Sequence, residues 1–131
     1  MLDLRALRLE PGTVRRERVE LHLDPFLLGG QSYTVEPADL EVQVEIQPST
    51  QGLYLKLMFH AAVTGPCMRC LEPARVEIEV AAREYHEPAA AREGDEDLTS
   101  EYLADEELDV ERWARDAIAL ELPEKIVCSP D

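Results

Sequence analysis

The strongest constraint on the fold is a pair of alternating segments separated by a short turn. In residues 40–46, LEVQVEI, every second residue is apolar, and residues 53–63, LYLKLMFHAAV, keep the same period. Successive side chains of a β-strand point to opposite faces, so each segment has one apolar face, and one face of the first is fully polar. The connector QPSTQG, residues 47–52, has turn chemistry. We therefore predict an antiparallel hairpin whose apolar face lies on a core.

Two further segments extend this sheet. Residues 14–23, VRRERVELHL, alternate toward their end, and residues 75–80, RVEIEV, alternate throughout. A Gly-Gly pair at 29–30 indicates a loop. Residues 1–85 are therefore predicted to be mainly β, as an antiparallel meander or a partly open barrel.

The pattern changes in residues 86–107, which hold nine acidic residues and one arginine. Few large apolar side chains are present, so this segment cannot bury enough surface to offset the cost of ordering. We predict a mobile acidic loop, with a short helical turn near Tyr102 and Leu103. Such a charged run serves either as a solvated spacer or as a contact for a partner.

A helical period follows in residues 108–131, which we interpret as a helix and tail. Asp109 is the predicted N-cap, Glu111 lies in the first turn, and Pro123 ends the helix. The predicted apolar stripe contains Val110, Trp113, Ala114, Ala117 and Ile118. With Trp113 anchoring this helix on the sheet, the 131 residues are expected to form one α+β domain.

The charge of the chain favours basic partners. The formal net charge is −15, from 28 acidic and 13 basic residues, but residues 1–18 carry five arginines against three acids. That segment is therefore net +2, and the remainder sums to −17. Phosphate backbones are bound chiefly through Lys and Arg, so direct binding of nucleic acid by the body is disfavoured.

Several classes of protein are excluded or disfavoured. The start MLDLRALRLEPG is too charged for a signal peptide, and no window is apolar enough to span a membrane, so we expect a cytoplasmic protein. The three histidines, His22, His60 and His86, are scattered, and paired carboxylates carry little information in so acidic a chain. We therefore expect no enzymatic activity.

The most specific motif is CMRCLEP, residues 67–73, in the connection between two predicted strands. With its context, the chain resembles the YceD family, the large ribosomal RNA subunit accumulation proteins. The matching motif residues are Cys67, Arg69, Cys70, Leu71, Glu72 and Pro73. The later matches are the acidic stretch and Leu108, Asp109, Leu122, Pro123 and Cys128, and LEPG at 9–12 also fits. Many relatives carry further cysteines after the position of Cys128, whereas this sequence ends at Asp131.

The resemblance implies a non-enzymatic factor needed for accumulation of large-subunit ribosomal RNA, hence a role in ribosome biogenesis. Family members are often encoded beside a small basic ribosomal protein, which agrees with the charge argument. We therefore expect an acidic adaptor for a basic ribosomal protein or a pre-ribosomal particle. The predicted partner-binding residues are Cys67, Arg69, Cys70, Leu71, Glu72 and Pro73.

The alternative is a zinc-binding structural module. Cys67 and Cys70 have the spacing of a zinc knuckle, Cys128 offers a third sulfur, and His60 or His86 a fourth ligand. Against zinc, a knuckle commonly has Gly after its second Cys, for a left-handed turn, and this chain has Leu71. A redox role is disfavoured because an inter-strand loop lacks the helix N-terminus that activates such thiols. We therefore favour a contact loop without a cofactor.

Overall fold

The computed structural model describes residues 2–7, 9–88, 99–104, 106–123 and 125–127. In chain order the strands are β1 (Leu2–Asp3), β2 (Arg15–Leu21), β3 (Phe26–Leu28), β4 (Gln31–Glu36), β5 (Leu40–Pro48), β6 (Leu53–Pro66), β7 (Pro73–His86), β8 (Leu103–Ala104) and β9 (Glu107–Leu108). A 3-10 helix, Leu4–Leu7, follows β1, and the α-helix α1 spans Val110–Glu121.

The sheet is built around β6, the central strand. On one edge β7 pairs with its full length, from Leu53 opposite His86 to Pro66 opposite Pro73. On the other edge β5 pairs with the first half of β6 and β4 with the second half, while β2 and β3 extend the two branches. All these pairings are antiparallel, and the described strands leave the sheet open. The predicted α+β class with an antiparallel sheet is confirmed.

The core lies against one side of this sheet, which we call the inner face. Residues Leu40, Val42, Val44 and Ile46 of β5 are at most 1% exposed. On β6 the inner side chains are Leu55, Leu57, Phe59, Ala61 and Val63, and all are buried. The alternation read from the sequence is therefore confirmed, since its apolar positions lie in the core and its polar positions form the opposite side, the outer face.

Helix α1 covers part of the inner face and packs against β7. Its N-cap is Asp109, as predicted, because the Asp109 side chain accepts a hydrogen bond from the backbone N–H of Arg112 at 3.1 Å. The whole predicted apolar stripe is buried, and Trp113 stacks on Tyr102 with ring centroids 5.9 Å apart. No helix in the described part of the chain is long and apolar enough to cross a membrane.

A hairpin replaces the simple loop predicted around the glycine pair. Strands β3 and β4 are joined by Gly29 and Gly30, which both have positive φ, 59° and 81°. Two successive residues of positive φ match the right-handed twist of a two-residue hairpin, and glycine adopts them without strain. The apolar alternation of β4 rests on Tyr33 and Val35 alone, which is why the sequence pattern was too short to indicate the strand.

The boundaries around the acidic segment also differ from the prediction. Strand β7 runs to His86 rather than to residue 80, because pairing with β6 continues through residues without alternation. Leu103 lies in β8, which pairs with β9, and not in a helical turn. Residues 89–98, the centre of the predicted mobile loop, lie outside the described residues, as does 105.

Candidate functional site

The two-cysteine loop, residues 67–72, joins β6 to β7 at one end of the long hairpin. The Cys67 N–H donates to the Glu72 carbonyl at 2.6 Å, and the Leu71 N–H donates to the Cys67 carbonyl at 2.9 Å. These two bonds close the loop on itself, so its shape is fixed by the backbone. The predicted position of the thiols between two strands is confirmed.

Leu71 has a left-handed backbone conformation, with φ of 66°. A side chain with a Cβ rarely adopts this region, at a cost of about 1–2 kcal/mol. The same side chain is 69% exposed, so burial does not offset that cost. The sequence argument that Leu71 prevents a left-handed turn after the second cysteine is therefore wrong, because the turn is present with leucine in it.

The two thiols have different surroundings. Cys67 is fully buried, and its Sγ accepts a hydrogen bond from the Arg69 N–H at 3.4 Å. Cys70 is exposed. Cys67 is therefore a buried part of the loop and is not available to a partner. The other residues predicted to contact a partner are all exposed: Arg69, Cys70, Leu71, Glu72 and Pro73.

The base of the loop is held by the core. The Tyr33 hydroxyl donates to the carbonyl of Pro66 at 2.6 Å, and Tyr33 itself is completely buried. A Cβ built at Gly65 would collide with the Tyr33 ring. Glycine is required here by this close approach, which lets Tyr33 lie directly under the last residues of β6.

The C-terminal segment anchors the other side of the loop. The Met68 N–H donates to the Ile126 carbonyl at 2.8 Å, and the Ile126 N–H lies 3.3 Å from the Met68 Sδ. Ile126 is fully buried, so this segment is part of the core. Cys128, the predicted third thiol, lies outside the described residues.

Neither histidine proposed as a fourth zinc ligand lies at the loop. His86 pairs with Leu53 at the far end of β7, a 14-residue strand, which spans about 40 Å at about 3.3 Å per residue. His60 pairs with Glu79 on the outer face, partway along the same hairpin. His86 is buried, its Nδ1 accepts the Ser100 N–H at 3.1 Å, and desolvation by burial lowers its pKa. Its role is therefore structural.

The outer face is charged differently at its two ends. We define the acidic end as Glu20, Glu36, Glu41, Glu77 and Glu79, which lie on strands β2, β4, β5 and β7. Arg75 lies in this region, but it is paired with Glu36 at 2.7 Å and with Glu77 at 3.5 Å. The acidic end borders the two-cysteine loop, since β7 begins directly after Glu72.

An open cleft of about 560 Å³ lies where the acidic end meets the loop. Its lining includes the apolar residues Leu71 and Pro73 and the polar residues Thr34, Thr64 and Arg75. A shallow cleft of this kind suits a protruding side chain of a partner better than an enclosed small molecule. Thr34 reaches this place only through the pairing of β4 with β6, which no local sequence pattern indicates.

One group of potential metal ligands occurs among the described residues. It comprises Glu20, His22 and Asp39, all exposed, with 3.0 Å between His22 Nδ1 and Asp39 Oδ1. Strand pairing brings the ends of β2 and β5 together there, which sequence spacing did not indicate. Such solvated acidic groups are ordinary on so negative a surface. We therefore count them with the acidic surface.

Fold and loop together define a small acidic α+β protein that presents a rigid two-cysteine loop at the end of a long antiparallel hairpin. The chain belongs to the family of the large ribosomal RNA subunit accumulation protein YceD, whose sequence model matches residues 55–131. That range contains the two-cysteine loop and α1, and the predicted family is confirmed. The family name suggests a role in accumulation of ribosomal RNA of the large subunit.

Curated relatives come from mycobacteria. Uncharacterised proteins of Mycobacterium bovis and of two strains of Mycobacterium tuberculosis are each 29% identical to this chain over 134 residues. The alignments cover 99% of this chain and 64% of each relative, so the chain spans less than two thirds of their length. No solved structure matches the chain.

Proposed function

We propose that this protein is a non-enzymatic, cytoplasmic ribosome biogenesis factor that acts as an acidic adaptor for a basic ribosomal protein or assembly intermediate of the large subunit. The observation that carries the proposal is the position of Leu71, an exposed apolar side chain on a rigid loop beside the acidic end. The family name supports the ribosomal role.

The chemistry of this surface fits a cationic partner with an apolar anchor. Leu71 and the partly exposed Met68 offer apolar contact, and the carboxylates of Glu36, Glu77 and Glu79 lie along the same end of the sheet. Binding energy at interfaces concentrates in a few apolar or aromatic anchors, while surrounding charges set specificity and the association rate. The loop would therefore provide affinity, and the acidic end would select a basic client.

The net charge of −15 adds long-range attraction. Electrostatic steering raises the association rate of opposite charges and weakens as salt shortens the Debye length to about 8 Å at physiological ionic strength. We expect the association rate with the client to fall steeply as salt rises. An association rate independent of salt would contradict the adaptor mechanism.

The test is capture of clients from lysate by the tagged full chain, with and without nuclease. A basic ribosomal protein that remains bound after nuclease treatment supports the proposal, and loss of every ribosomal protein with the RNA contradicts it. Leu71→Gly should abolish the capture that survives nuclease. Leu120→Gly is a control for loss of an exposed leucine, since Leu120 is 86% exposed on α1.

Zinc binding by the two-cysteine loop is the second candidate, and two observations favour it. The Arg69 N–H points at the Cys67 Sγ, and Leu71 supplies the left-handed turn after the second cysteine. Backbone N–H groups aimed at sulfur in this way stabilise bound thiolates. A metal there would hold the loop in the shape that presents Leu71, so it is compatible with the adaptor.

Elemental analysis of the purified full chain decides whether the two-cysteine loop holds a metal. The contact-loop proposal expects no stoichiometric metal. One equivalent of zinc per chain, lost on Cys70→Ser, would establish the metal site instead. Structural zinc in proteins is held by four ligands, so three cysteines would need one further donor.

A further inference from the structure

We propose that the other end of the outer face binds single-stranded RNA. This basic end consists of Arg16 and Arg18 on β2, Lys56 on β6 and Arg83 on β7, next to the pair Tyr54 and Tyr85. The proposal goes beyond the adaptor function and does not depend on it, because it concerns different residues and a different class of ligand.

Strand register places these side chains in adjacent rows. Directly opposed residues share a face, so one row runs from Arg16 through Glu45 and Lys56 to Arg83. The next row toward the loop runs from Arg18 through Gln43 and Met58 to Ala81. Four cations therefore lie around Glu45 in these two rows, although the whole chain has more than two acidic residues for each basic one. Two further carboxylates border the group, Glu41 beside Arg18 and Glu87 beside Tyr85.

The four cations differ in the ion pairs that they form within the described part of the chain. Arg16 pairs with Glu45 at 3.0 Å, and Arg18 pairs with Glu41 at 3.7 Å. Lys56 and Arg83 form no ion pair with any residue in the described part of the chain. They are directly opposite each other on neighbouring strands, where like charges destabilise a sheet. A ligand phosphate would relieve that repulsion by neutralising both.

The aromatic pair lies one row further from the loop, on the same face. Tyr54 and Tyr85 are directly opposed, with ring centroids 4.8 Å apart and planes inclined at 41°. Tyr54 is 54% exposed, which leaves ring surface open for stacking. The Tyr85 hydroxyl donates to the Glu87 carboxylate, and this bond is the main reason why its pKa is raised to about 12. Tyr85 is thereby fixed in place and supports the exposed Tyr54 ring.

This combination selects single-stranded RNA among polyanions. Single strands are bound by cations that track the backbone and by aromatic side chains on which bases stack, commonly on the open face of an antiparallel sheet. A long duplex would extend over the acidic end and be repelled. An acidic peptide would use the cations but gain little from Tyr54. The basic end therefore fits a short stretch of a few unpaired nucleotides.

The placement of charges on the outer face changes the conclusion drawn from net charge alone. The body of the chain sums to −17, which disfavours binding of nucleic acid, but strand pairing gathers the cations of the outer face at one end, which adjoins the acidic end where Arg18 pairs with Glu41. Contact with phosphate depends on the local potential within about one Debye length, roughly 8–10 Å. One face can therefore bind RNA at the basic end and a basic protein at the acidic end.

Binding of fluorescein-labelled single-stranded RNA decamers to the full chain, followed by fluorescence anisotropy over a salt series, tests the proposal. The double variant Lys56→Gln/Arg83→Gln should weaken binding at low salt tenfold or more. If it removes two phosphate contacts, the slope of log affinity against log salt should become shallower by about 1.4, since each contact on a single strand contributes about 0.7.

Tyr54→Ala should weaken binding by about five- to 150-fold, the range for loss of one stacked base, without changing the salt slope. Tyr54→Phe should bind as the unmodified protein does. Arg75→Gln, on the same face at the acidic end, is the matched control for loss of one cation and should leave RNA affinity unchanged. Thermal unfolding of each variant verifies that the fold is intact.

Three results would overturn the proposal. The first is that the full chain does not bind RNA at low salt. The second is that neither Lys56→Gln/Arg83→Gln nor Tyr54→Ala changes RNA binding. The third is that polyglutamate binds the basic end as tightly as RNA does. Failure here leaves the adaptor proposal untouched, because that proposal is tested by a client retained after nuclease treatment and lost with Leu71→Gly.

Discussion

Met68 and Ile126 join the two-cysteine loop to the C-terminal segment through a backbone hydrogen bond of 2.8 Å and an N–H to sulfur contact of 3.3 Å. A loop between two strands is thereby held from three directions, because Tyr33 holds its base and two internal bonds close it. Rigidity matters for recognition, since a preformed loop loses less conformational entropy when it binds.

The first prediction concerns the thiols. Cys67 is fully buried, so Cys67→Ser should lower the free energy of unfolding by about 1–3 kcal/mol through a buried hydroxyl even if no metal is bound. Cys70 is exposed, so Cys70→Ser should change it by less than about 0.5 kcal/mol if no metal is bound. Chemical denaturation measures both, and a loss of several kcal/mol for Cys70→Ser would indicate structural zinc.

The second prediction separates the conformation of Leu71 from its contact. Leu71→Gly removes the side chain and relieves the left-handed strain, while glycine adds backbone freedom to the unfolded chain. We expect the free energy of unfolding to stay within about 1 kcal/mol of the original value, with client binding lost. Leu71→Asn, which tolerates the same conformation, is the matched variant with a polar side chain. Retained client binding in both would contradict the contact role of Leu71.

The third prediction concerns the support under the loop. Gly65→Ala should destabilise the protein by about 1–3 kcal/mol, because the added methyl collides with the Tyr33 ring in a closely packed core. It should also weaken client binding by displacing Pro66 and the loop. Gly30→Ala, where no atom lies near the added Cβ, is a control for backbone strain alone. Equal losses of client binding in the two variants would argue against a supporting role of Tyr33.

Much of the fold could be predicted because it depends on local pattern. The alternation of residues 40–46 identified the inner face of β5, and Asp109 identified the start of α1. The hairpin of β3 and β4 is not predictable from the sequence, because only Tyr33 and Val35 alternate there. The C-terminal end of β7 is not predictable either, because it becomes a strand through pairing with β6 and not through an alternating pattern of its own.

The candidate site was predictable in position but not in geometry. CMRCLEP indicated the loop, yet the left-handed Leu71 and the burial of Cys67 depend on contacts with distant residues. The two charged ends of the outer face depend on register across several strands, and a linear count of charge averages them away. The basic partner predicted from composition therefore concerns only the acidic end. Composition does not indicate the neighbouring cations Lys56 and Arg83.

The last prediction uses His86, whose buried ring accepts the Ser100 N–H and whose pKa is lowered by desolvation. Because the unfolded chain binds the proton more readily, the free energy of unfolding should be constant above about pH 6.5 and fall as pH drops from there toward the lowered folded pKa. Protonation of His86 would also remove the acceptor of the Ser100 N–H. The Ser100 hydroxyl donates a separate hydrogen bond to the Glu84 carboxylate at 3.0 Å.

His86→Asn should flatten this pH dependence, because an amide oxygen can accept the same N–H without titrating in that range. His60→Asn, at an exposed position, is the matched control for replacement of a histidine by asparagine away from the Ser100 contact. Denaturation between pH 5 and 7 remains above the ordinary pKa of carboxyl groups, at about 4, so their titration contributes little. Unfolding free energies that fall equally in the unmodified protein and in His86→Asn would show that another group causes the loss.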